Sequence, residues 1–144
     1  MIVRSIFASA LLATSISANA TPQWSVLAGS NADFTYLDNG SLAQQGNVVE
    51  VDVLRNYNET ITLGNDPETG APMYVHRSVK LTYKVDCGNG TIAMSAWKMF
   101  DESFANGKVV WADKNWGKPV FTAANDDEKL AVVRSSCPTN TAAR

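Results

Sequence analysis

Val49, Val51 and Val53 alternate with Glu50 and Asp52, a two-residue period that predicts a half-buried strand from Val48 to Tyr57. A longer alternation follows, with Val75, Val79, Leu81, Tyr83, Val85 and Cys87 on one side. Tyr74, His76, Ser78, Lys80, Thr82, Lys84 and Asp86 take the other, and Arg77 interrupts the apolar side near its start. This pattern fits an antiparallel sheet with one wet face, and it places His76 on the exposed side. Gly88-Asn89-Gly90 is a tight reversal, so Thr91 to Phe100 returns as the hairpin partner. Regular alternation there groups Ile92, Met94, Ala96 and Lys98 against Ala93, Ser95, Trp97 and Met99. Apolar residues in both groups suggest a strand covered on both sides.

Shorter apolar runs predict strands at Trp24 to Leu27, at Asp33 to Asp38, and around Gly107 to Trp111 after a turn at Asn106-Gly107. Asn39-Gly40 marks a turn, and the Gly- and Pro-rich stretch from Asn58 to Pro72 reads as a loop or long hairpin tip. The period then changes. A helix is expected to start at Asn125 or Asp126, with Asp127 and Glu128 in a first turn that favours acids. Leu130, Val133, Arg134 and Cys137 follow at i, i+3, i+4 and i+7, and Pro138 stops the run. The expected fold is α+β: an antiparallel sheet of five or six strands with one C-terminal helix.

Composition adds a compartment. Arg4, a short apolar run to Ile16 and Ala18-Asn19-Ala20 form a secretory signal with cleavage after Ala20. The apolar run is too short to span a bilayer, which takes about 20 residues. The expected organisation is a signal peptide at 1–20, one domain at 21–138 and a flexible tail at 139–144. Cys87 and Cys137 are the only cysteines, so an exported chain should join them as a disulfide tying helix end to sheet. A formal charge of −2 supplies no strong drive toward nucleic acid or anionic lipid.

Candidate chemistry is sparse. The single histidine, His76, has no nucleophile-elbow serine to serve, since no G-x-S-x-G occurs. Asp101-Glu102 reads as a turn and Asp126-Asp127 as a helix cap rather than as a catalytic pair. Two thiolates and one imidazole fall short of a closed zinc shell. The chain is therefore expected to be no enzyme, with no catalytic residue, no metal and no cofactor. His76, Arg77, Lys80 and Lys84 form a positively charged stripe, the candidate ligand-facing residues for an anionic protein or glycan. The tryptophans Trp24, Trp97, Trp111 and Trp116 are expected to pack on the core or sheet face, with an exposed aromatic patch as the alternative.

Several short motifs, in order, carry a family resemblance. They are Trp24, Tyr36-Leu37-Asp38, Leu54-Arg55-Asn56-Tyr57, Ser78-Val79-Lys80 and Tyr83-Lys84-Val85-Asp86-Cys87. Gly107-Lys108-Val109-Val110, Trp116-Gly117-Lys118-Pro119-Val120 and the helix closing at Cys137 complete the set. From Trp24 to Cys137 the chain resembles the surface-adhesin protein E family of Gram-negative bacteria. The resemblance implies a sheet of about six antiparallel strands with the helix tied to its concave face by the disulfide. It also implies dimerisation and adhesion to host proteins such as vitronectin, laminin or plasminogen, and haem binding is associated with the family. An exported binding protein follows as the expectation, with a periplasmic haem-like ligand carrier as the alternative. Cys87 is the first cysteine, so no lipobox precedes it; a periplasmic or secreted protein without a lipid anchor is expected, outer-surface association remaining open.

Overall fold

The structure, a computed structural model, describes residues 21–30, 32–113 and 118–137. The expected signal peptide with its expected cleavage after Ala20, Trp116, Pro138 and the expected tail at 139–144 lie outside the described residues. The described strands are β1 (Trp24–Gly29), β2 (Asp33–Asp38), β3 (Ala43–Gln45), β4 (Val48–Thr62), β5 (Val75–Asp86), β6 (Thr91–Phe100), β7 (Val109–Asp113) and β8 (Thr122–Ala123), followed by helix α1 (Asp127–Ser136). They form one antiparallel sheet in the order β1-β2-β4-β5-β6-β7, with β3 on β4 and β8 on β6.

The valine alternation of β4 does what its period requires. Val51 and Val53 are fully buried and join Leu37, Leu81, Val85 and helical Val132 in the core. On the opposite face Asp52 meets Lys80 at 2.8 Å and Thr82 at 2.7 Å. Cys87 and Cys137 are joined, their Cα atoms 5.5 Å apart, so the helix end is fixed to the end of β5.

Four features differ from the sequence pattern. β4 continues to Thr62, five residues past Tyr57, because β5 still pairs with it there: Ile61 lies opposite His76 and Thr62 opposite Val75. The loop is correspondingly shorter. β3 and β8, three and two residues long, are additional; pairing with a neighbour makes them strands, and neither is long enough to show a period.

The helix is rolled relative to its apolar stripe. Leu130 is 37% exposed whereas Val132 is fully buried and Ser136 nearly so. Its inward line is Glu128, Val132 and Ser136, spaced by four, because Glu128 is anchored to Arg55 at one end and Cys137 to Cys87 at the other.

The strands also change face at bulges. Between Asn56/Ser78 and Ile61/His76, four residues of β4 stand against one of β5. In the β5–β6 ladder, Thr82 pairs with Ala96 but Tyr83 pairs with Met94, leaving Ser95 as the extra residue. Each shift resets which side chains point to the helix side.

Candidate functional site

α1 covers only part of its face of the sheet. Beside it lies an open cavity of about 500 Å³, walled by β4, β5, β6 and the first turn of the helix. The bulges furnish its lining. Skipping Ser95 brings Met94 to the same wall as Trp97 and Met99, which strict alternation had put on the other face. The β4–β5 bulge likewise turns His76 inward, beside Tyr57, Val79 and Leu81.

His76 is therefore 3% exposed, not a solvated sheet-face residue. Its ring meets Tyr57 edge-on with centroids 5.7 Å apart. Nδ1 lies 2.7 Å from the carbonyl oxygen of Tyr74, a residue in the left-handed region at φ 46°. A carbonyl only accepts, so Nδ1 carries a proton, and in the neutral ring the lone pair is on Nε2.

Polar groups gather where the helix meets the cavity. Arg55 donates to both carboxylate oxygens of Glu128 at 2.7 Å, a bidentate pair that raises the already high pKa of the guanidinium against the opposing effect of burial. Thr35 donates to the same carboxylate. Tyr83 is pushed up to about 12, by burial first and then by the charge of Glu128. Lys129 reaches the cavity rim and pairs with Asp126 at 2.9 Å. Trp97, part of the wall, stacks on Trp111 at 4.6 Å, and its Nε1–H is buried with no acceptor among the described residues.

The four stripe residues are separated. His76 lines the cavity, Arg77 donates to the backbone carbonyl of Asn58, and Lys80 and Lys84 lie on the far face, paired with Asp52 and Glu50. Lys84 sits directly across from Glu50 in the register of β4 and β5, and Lys80 two residues along from the position opposite Asp52, which sequence distance alone could not reveal. No group of three or more His, Cys, Asp or Glu suited to a metal ion occurs among the described residues.

The far face carries a second feature, an aromatic row of Phe34, Tyr36 and Phe104. Tyr36 lies 6.3 Å from Phe34 and 5.4 Å from Phe104 between ring centroids. Phe104 is 44% exposed and, with Ala105, adopts left-handed φ near 57°. Buried side chains hold that turn: the Phe104 N–H donates to Asn56 Oδ1, the Ala105 N–H to Ser78 Oγ, and Ser78 Oγ–H to the Glu102 carbonyl. The described tryptophans, Trp24, Trp97 and Trp111, are half-buried, and the row on the far face uses phenylalanine and tyrosine instead, with only Phe104 exposed.

The surface-adhesin protein E family matches residues 24–137, most of the chain. The chain belongs to this family. Solved structures of protein E from Haemophilus influenzae share the fold. A crystal structure from a non-typeable strain is 21% identical, with a TM-score of 0.55, over 85% of this chain and 77% of that one. Crystal form II gives 17% identity and a TM-score of 0.53 over 72% and 79%. A selenomethionine form gives 16% and 0.54 over 82% and 92%. No curated protein sequence matches significantly. Among the described residues no helix is long and apolar enough to cross a membrane.

Proposed function

We propose that this adhesin-family member is an exported, non-enzymatic binding protein of the envelope that contacts a protein partner, host extracellular-matrix proteins being the class its family points to. Family membership across residues 24–137 is the observation that carries this reading. The aromatic row on the far face supports it, because exposed Phe104, held on a hydrogen-bonded turn beside half-buried Tyr36, suits a contact that loses little entropy on binding. Purified mature chain is expected to bind immobilised vitronectin or laminin, and Phe104→Ala to weaken that binding about tenfold or more. Recovery only in the periplasmic fraction, or no binding to any matrix protein, would overturn it. Dimerisation belongs to the same reading and is checked by light scattering.

The cavity favours a second reading, a periplasmic carrier of a small apolar ligand. Its volume lies in the range of ligand sites, roughly 300–1,000 Å³. His76 stands in its wall with Nε2 free of the Tyr74 contact, so haemin is the natural probe. A Soret shift lost in His76→Ala is expected of a haem carrier; an unchanged haemin spectrum removes haem as its cargo.

A further inference from the structure

The cavity is a trough rather than a bowl, and its length suits an extended ligand. Its floor on β5 runs from Tyr83, opposite Met94, through Leu81, opposite Trp97, and Val79, opposite Met99, to His76. Seven residue steps at about 3.3 Å make it roughly 23 Å long. It is open to solvent on one side, so a straight chain can lie along it end to end.

We infer that the trough binds a single straight acyl chain, presented as a free fatty acid. This rests on the carrier reading above and names its ligand. Aliphatic and thioether side chains, among them Leu81, Met94 and Met99, share the walls with the rings of Tyr57, Tyr83 and Trp97, and the unbranched methionines conform to a chain of variable kink. At the far end the trough runs out along the β4–β5 arm, where Leu63 is 49% exposed and Ile61 38%. An acyl chain would cover both.

An acid head group has partners on the helix side. Lys129 stands at the rim, and its present partner Asp126 is half exposed, so that ion pair is weak and open to exchange. Arg55 is fully engaged by Glu128 and fixes the wall instead.

The test is calorimetric titration of the purified mature chain with octanoate, decanoate, dodecanoate and tetradecanoate, with haemin followed by absorbance in parallel. Each added methylene is expected to tighten binding about fourfold, the equivalent of ~0.8 kcal/mol. Met94→Glu should abolish fatty-acid binding by placing charge mid-trough. Leu63→Glu, on the exposed arm, should leave octanoate unchanged and weaken tetradecanoate at least fivefold. Lys129→Gln should weaken dodecanoate but not dodecanol. Equal affinity for all four acids, or affinity untouched by Met94→Glu, overturns the assignment. Haemin binding without fatty-acid binding overturns the acyl chain and leaves a carrier; binding of neither overturns both.

Discussion

Tyr83 shows how far a single side chain can report on the site. It is 4% exposed, close to Glu128, and its phenol is pushed up to about 12 against an ordinary value near 10. The folded state thus holds the proton that the unfolded state gives up first. Its contribution is complete below about pH 10 and lost as pH rises toward about 12. Tyr83 is expected to ionise above the ordinary tyrosine range in an absorbance titration, and Tyr83→Phe to flatten the alkaline fall in stability. The companion residue His76 was on the polar side of its strand by parity, and the one local trace of the bulge that turns it inward is Arg77, which breaks the apolar alternation without saying where the chain shifts.

At the scale of elements, the long strands and the hairpin at Gly88-Asn89-Gly90 were legible because period and turn chemistry agree along them. The helix start was legible too: Asp126 caps it by accepting from the Lys129 N–H, with Asp127 and Glu128 in the first turn. Its roll was not, since an ion pair and a disulfide set it rather than the weak apolar stripe. Two substitutions separate these contributions. Asp126→Ala should cost about 1 kcal/mol in urea unfolding. The Lys129 N–H holds the Asp126 carboxyl below its ordinary range. The cap's contribution is therefore present above about pH 4 and lost as pH falls through the lowered value. Glu128→Gln removes half of the bidentate pair. Because Arg55 is 40% exposed, solvent screening limits the loss to about 1 kcal/mol. A larger effect should appear in the trough, whose wall Arg55 positions.

The described residues of the molecule form a wide sheet with one short α-helix, and that mismatch explains why it carries a trough at all. A ten-residue helix cannot cover three strands, so the part of the face over β5 and β6 stays open. Among the described residues the helix is held by fully buried Val132 with half-buried Val133, by the contacts of Glu128 with Arg55 and Thr35 at the N-terminal turn, and by one disulfide at the other end. The bond closes a loop with sequence separation 50, worth about 4 kcal/mol in the chain-entropy view. Reduction should therefore release the helix before the sheet, as a local opening rather than global unfolding. Hydrogen exchange under reducing conditions tests this directly. Amides of Leu130 to Cys137 are expected to lose protection at least a hundredfold, while the β4, β5 and β6 amides change little. Helix and sheet losing protection together would mean that the disulfide stabilises one cooperative unit. Trough access and helix docking would then be inseparable.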